Sequence, residues 1–186
     1  TLFGLDCVNI ERLILAAEIC KKDFEFADVK LLTSLPSNHS DVVRIESVDS
    51  IKAYSEFILK KAADYVTTDY VLVIQYDGFI LNPNAWSDDF LKYDYIGAPL
   101  LVNEKLVVGN GGFSMRSRKL LELTKNDPEI QLGDKNQDRY AENEDWVLSV
   151  LKRDYLETQG IQFAPVEIAH SFSLEENKVY GSVWDG

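Results

Sequence analysis

A chain of 186 residues, 46% of them hydrophobic, is long enough for one domain with a full core and too apolar to be disordered. Its formal net charge of -12 excludes a protein that grips nucleic-acid phosphates through a basic stripe, but leaves room for a small anion held locally by helix N-termini or a metal. No apolar run approaches the ~20 residues that a membrane-spanning helix needs, and no signal peptide is visible.

Residues 2–8 read as a first strand, with Asn9 as the N-cap of an amphipathic helix over 10–22. The apolar stripe of that helix is Ile10, Leu13, Ile14, Ala17 and Cys20. Residues 28–34 and 42–45 read as the second and third strands, with a polar loop over 36–40 between them. A second helix follows over 50–63, and its buried stripe is Ile51, Tyr54, Phe57, Ile58 and Ala62. The unbroken run Tyr70, Val71, Leu72, Val73 and Ile74 suits a central strand covered on both faces. It ends in Gln75-Tyr76-Asp77-Gly78. A carboxylate at the C-terminal end of a buried parallel strand lies where open α/β sheets bind ligands, although Asp-Gly is also a common turn pair. The alternation of strands and helices implies an α/β fold, with a mostly parallel central sheet flanked by helices in a single domain. Neither G-x-G-x-x-G nor G-x-x-x-x-G-K-[ST] is present, so dinucleotide and P-loop readings fail.

In the second half, residues 86–91 read as a short helix or turn, 95–99 as a short strand and 102–105 as a flexible loop. The glycine-rich Asn110-Gly111-Gly112-Phe113-Ser114 leads into a helix over 118–125. Residues 127–143 are polar and acidic and read as a mobile loop. Glu144-Asp145 opens a helix running to about residue 159, residues 161–166 form a late strand, and 173–186 carry no readable period. Cys7 and Cys20, the only cysteines, read as buried free thiols, which points to a reducing, cytoplasmic compartment. A start at Thr1 rather than Met reads as a processed piece or part of a longer chain, and a membrane-peripheral place stays open.

Four segments, in this order, carry a resemblance: Gln75-Tyr76-Asp77-Gly78-Phe79-x-x-Asn82-Pro83; Gly109-Asn110-Gly111-Gly112-Phe113-Ser114-x-Arg116-Ser117; Glu144-Asp145-Trp146; and Gly160-Ile161-x-Phe163-Ala164-Pro165-Val166-Glu167. Together they resemble the glycosyltransferase-like domain-of-unknown-function 5672 family and, more distantly, GT-A glycosyltransferases of the galactosyltransferase type. The resemblance implies a GT-A fold, with 1–83 as the nucleotide-binding half and 84–186 as the acceptor half. It implies transfer of a sugar from a nucleotide-sugar donor, UDP type favoured, to a glycan or other hydroxyl acceptor, with inversion. By the same resemblance Asp77 stands at the last acid of a metal-binding Asp-x-Asp motif, and Gln75, Gly78, Gly111 and Gly112 stand beside the donor. The position two before Asp77 is Gln75 rather than an acid, which leaves one carboxylate there for Mn or Mg. Members of the family end in an aromatic-Gly-x-His-Gly pattern. Here the tail reads Tyr180-Gly181-Ser182-Val183-Trp184-Asp185-Gly186, without His, and Asp185 is the substitute oxygen ligand.

The chemistry sets what these residues must do. A sugar-diphosphate leaving group develops negative charge, which a hard cation on carboxylates, or basic side chains and helix N-termini, must neutralise. Gly109, Gly111 and Gly112 permit close backbone approach and positive φ. Arg116 and Arg118 read as solvated or paired with the acidic surface, either being able to face phosphate. Glu144 and Asp145 are favoured at a helix start by the macrodipole alone; read functionally, they supply a general base, Asp145 first and Glu144 in reserve. His39 and His170 show no metal-ligand spacing, and Trp86, Trp146 and Trp184 either stack on a sugar face or belong to the core. The competing reading is a catalytically silent carbohydrate- or nucleotide-binding module on the same fold. A two-carboxylate hydrolase would need Asp77 opposite Glu144, and nothing in the sequence places them so.

Overall fold

The structure is a computed structural model and describes residues 1–174. Strand β1 (Leu2–Leu5) is buried along its whole length, as an LFGL sequence covered on both faces requires. Helix α1 (Ile10–Lys22) leads to β2 (Val29–Thr33), which pairs in parallel with β1, Leu2 opposite Val29. Strand β3 (Val42–Arg44) adds in parallel beyond β2. Helix α2 (Ile51–Lys60) then carries the chain to β4 (Tyr70–Ile74), parallel to β1 on its other side, Leu2 opposite Leu72. Two 3-10 turns (Pro83–Ala85 and Asp88–Lys92) precede β5 (Tyr95–Gly97), the hairpin of β6 (Pro99–Val102) and β7 (Lys105–Val108), and β8 (Phe113–Ser117). Strand β8 inserts between β4 and β5, antiparallel to both, so the sheet order is β3-β2-β1-β4-β8-β5. Helices α3 (Arg118–Asn126), α4 (Glu144–Trp146), α5 (Arg153–Thr158) and α6 (Val166–Phe172) complete the described chain. The result is a mixed α/β domain with a central, mostly parallel sheet flanked by helices, β8 being the strand that runs against the rest.

Alternation along β1 sets the two layers. Leu2 packs with Ile10, Leu13, Ala17 and Cys20 of α1, while Phe3 and Leu5 pack with Phe57 and Ile58 of α2 and with Val71 and Val73 of β4. A third cluster around Tyr95, Ile96, Met115, Leu148, Leu156 and Phe163 holds the second half. Fully burying one such side chain stabilises the fold by about 1.5–3 kcal/mol.

Several elements differ from the sequence reading. The first strand ends at Leu5 because Asp6 turns the chain: its Oδ1 accepts from Val8 N at 2.8 Å and Asn9 N at 2.9 Å, while the Asn9 side chain makes no capping bond. Ile51 does not join the α2 stripe; it is 70% exposed at the first turn, where the helix overhangs a cleft rather than the sheet. Residues 102–105 form a tight hairpin turn with Asn103 and Glu104 at φ 48 and 66, not a loose loop. The glycine-rich run leads into β8, a strand the sequence reading passed over, before the helix begins. The helix expected from residue 144 is broken by a π-helical turn at Val147–Leu151. The late strand is reduced to one bridge, Phe163 to Tyr95, and α6 follows it. Residues 127–143 contain no helix or strand, yet they are tied down: Ile130 is buried, and Gly133 N donates to Ala141 O at 2.7 Å. Among the described residues no helix is long and apolar enough to cross a membrane.

Candidate functional site

Strands β2 and β3 step away from β1 on one side, and β4 lies on the other. The carboxyl ends of β1 and β4 therefore flank the point where strand order reverses, the place where open α/β sheets hold ligands. A cleft of ≈ 1450 Å³ opens there. The fold brings all the described candidate residues to its walls: Gln75, Asp77 and Gly78 after β4, Gly111 and Gly112 before β8, and Glu144 and Asp145 at α4. Asp185 and Trp184 lie outside the described residues.

The glycine-rich loop is built differently from the expectation. The left-handed residue is Asn110, at φ 57, and not a neighbouring glycine. Asparagine tolerates that conformation, and its Oδ1 accepts from Gly112 N at 2.8 Å and Phe113 N at 3.2 Å. Gly111 N donates to Asp145 Oδ2 at 3.0 Å. Glycine is needed at 111 for closeness, since a Cβ there would lie 2.2 Å from Glu144 Oε1. The three amides at the turn are thus spent within the protein.

Beneath this loop lies a buried ion pair. Arg116, read from sequence as a surface group, is 1% exposed; its Nη2 lies 2.9 Å from Glu144 Oε1, and its Nε donates to Ser114 Oγ at 3.1 Å. Arg118 is the surface arginine, paired with Glu122 one helical turn on. Ser55 of α2 closes the other side of Glu144, donating from Oγ to Oε2 at 3.4 Å and accepting from Glu144 N at 3.2 Å. Burial pushes the Glu144 carboxyl above its usual range, and Arg116 pulls it back. Asp145 is only half-buried and borders the cleft, its Oδ1 accepting from Trp146 N at 2.8 Å. Trp146 lines the same cleft and donates from Nε1 to Asp138 Oδ2 at 2.7 Å.

Asp77 is exposed at the end of β4. Gln75 turns its side chain towards the glycine loop: a Cβ on Gly112 would lie 2.8 Å from Gln75 Oε1. Among the described residues, one group of three potential ligands has its atoms within 4.8 Å of one another, and it is Glu18, His39 and Asp41, outside the cleft. Sequence spacing did not reveal that group. Its centre is held by Lys21, whose Nζ lies 2.8 Å from Glu18 and 2.7 Å from Asp41, while His39 Nδ1 accepts from Asp41 N at 3.3 Å. Lys21 already meets both carboxylates, so the group is an ion-pair cluster rather than a metal cage. Asp77 therefore has no described set of carboxylate partners fit to hold a divalent cation.

One unit in the cleft escaped the sequence reading. Asp6, 6% exposed, accepts from Arg12 Nε at 2.6 Å, and the Arg12 guanidinium lies 3.8 Å from the centre of the Tyr76 ring. Burial alone would raise the Asp6 carboxyl, but Arg12 and the amides of Asn9 and Val8 outweigh it and hold the group below its ordinary value. The usable signal was an acid at a strand end with a cation in the first turn of the next helix. A second cavity of ≈ 580 Å³ is walled by aromatic rings, among them Phe24, Phe90, Phe113 and Trp86, which makes an edge contact with Phe24 at 5.2 Å.

Sheet order and cleft define an α/β domain whose cavity sits at a sheet switch point. The family model described as "Protein of unknown function (DUF5672)" matches residues 39–183, and the chain belongs to that family. Among solved structures, the bifunctional IspDF from Campylobacter jejuni is similar in fold, with a TM-score of 0.52 and 12% sequence identity. That likeness covers 96% of this chain and 50% of the other, so the chain spans about half of that protein's length. No curated protein matches.

Proposed function

We propose that this protein is a GT-A type glycosyltransferase that moves a sugar from a nucleotide-sugar donor, UDP type favoured, to a hydroxyl acceptor with inversion. The observation that carries the reading is the gathering of Asp145 with Asp77 and the carboxyl ends of β1 and β4 around one cleft. In this reading the donor lies at the strand ends, and the acceptor hydroxyl lies against Asp145. As that oxygen attacks the anomeric carbon, Asp145 takes its proton, and the sugar–phosphate bond breaks with its electrons leaving on the nucleoside diphosphate. The Gly111 and Trp146 amides fix the carboxylate. Glu144, spent on Arg116, positions this base rather than sharing its work. A divalent cation on Asp77 would draw further protein ligands from outside the described residues, Asp185 being the candidate. Two free thiols, Cys7 half-buried and Cys20 buried, support a reducing compartment.

The test is turnover and donor affinity measured on one variant. Asp145→Asn is expected to leave nucleotide binding nearly unchanged and to lower transfer by at least ~10²-fold. Near-normal turnover would remove Asp145 as the base. Gln75, standing where an acid would be, favours a second reading, a silent nucleotide- or sugar-binding module. That reading expects nucleotide sugars to raise the melting temperature with no transfer.

A further inference from the structure

The reaction above leaves open what meets the diphosphate charge. The amides of Gly111, Gly112 and Phe113 are spent on Asp145 and Asn110, so the glycine-rich loop offers no anion cradle. Asp77 has no described partners suited to a divalent cation. Two cationic side chains line the described cleft, Arg12 and Arg139. Arg139 is exposed and lies on the ring of its own neighbour Tyr140. Arg12 is anchored at one edge and one face: Asp6 fixes Nε at 2.6 Å, and the Tyr76 ring supports the guanidinium at 3.8 Å. Using Nε leaves the paired Nη donors, whose fork matches two phosphate oxygens. Arg12 also stands in the first turn of α1, where the helix macrodipole adds partial positive charge.

We infer that Arg12, held flat by Asp6 and Tyr76, binds the donor diphosphate directly and stands in for a metal ion at the end of β4. The inference rests on the nucleotide-sugar reading of the same cleft. It gives Asp77 a different part: an exposed carboxylate near the phosphates that accepts hydrogen bonds from sugar hydroxyls and, without a cation, repels the diphosphate.

Calorimetric titration with inorganic pyrophosphate and with UDP, each in EDTA and in Mn²⁺, tests this on the full chain. Both probes are expected to bind in EDTA. Arg12→Ala should weaken each by about tenfold or more, the scale of a charge-assisted hydrogen bond, and Arg12→Lys by less. Asp77→Asn should tighten binding in EDTA. Melting curves check that each variant folds; should Arg12→Ala fail to fold, Arg12→Lys and Tyr76→Leu, which keep the cation or its partner Asp6, carry the comparison. Equal affinity in wild type and Arg12 variants would overturn the inference. So would binding that requires Mn²⁺ and disappears in Asp77→Asn. Loss of pyrophosphate affinity in Arg12→Ala, with UDP binding no tighter than pyrophosphate, would uphold the anion site and remove the nucleotide-sugar reading instead.

Discussion

Glu144 and Arg116 show how one pair of residues can order a whole site. Their carboxylate and guanidinium are both almost fully buried, and they crowd Gly111, whose amide holds Asp145. Removing one partner strands the other charge. Arg116→Met is therefore expected to cost about 3–5 kcal/mol, and the double variant Arg116→Met, Glu144→Leu to recover much of it. Urea unfolding midpoints at constant slope measure both; a single variant within ~1 kcal/mol of wild type would show that the pair does not hold the site. The burial of Arg116 was not legible beforehand. The alternation of Phe113 and Met115 with Ser114 and Arg116 has the period of a strand, but nothing local says that its polar face turns inward.

Single elements divide by the strength of their local signals. Elements α1 and β4 have the bounds that hydrophobic patterning marks, because α1 lays one apolar stripe on the sheet and β4 is an unbroken apolar run within it. The break after Trp146 has no proline or glycine to announce it; it falls where Leu148 packs into the second-half core. Helix α6 does carry a signal, Pro165 followed by Ile168, Ala169 and Phe172 at helical spacing, which competes with the strand pattern of residues 161–166. The site divides the same way. Asp77 was marked by its place at a strand end, and Asp6 with Arg12 by an acid at a strand end before a helix, whereas Ser55 carries no motif and meets Glu144 only through the fold. In the β6–β7 turn Glu104 sits at φ 66, where a side chain costs about 1–2 kcal/mol relative to glycine. Glu104→Gly should raise stability by about 1 kcal/mol. An unchanged melting temperature would show that the turn stores no such cost.

For the molecule as a whole, acid is the revealing perturbation. Asp6 is held below the ordinary aspartate value in the fold, with burial opposing and Arg12 prevailing. Asp41 is lowered likewise, burial opposing and Lys21 prevailing. A depressed carboxyl adds stability that is fully present above the unfolded value and is lost as pH falls through the folded one. Melting temperature should therefore stay level with respect to these groups above about pH 5 and fall below about pH 4. Asp6→Asn should melt lower at neutral pH and lose part of that acid slope, measured by calorimetry from pH 6 down to pH 2. An unaltered slope would show that Asp6 contributes nothing to acid sensitivity.

The buried pair also has a consequence in time. Arg116 leaves the ribosome 28 residues ahead of Glu144, a gap of roughly 1–6 s at ~5–20 residues per second. During that interval β8 carries a charge with no partner to take it inside, and seating it dry between β4 and β5 is opposed by the cost of burying that charge. The parallel half from β1 to β4 is already made and waits with an open flank. The far wall of the cleft cannot set before Glu144 has been made and has met Arg116.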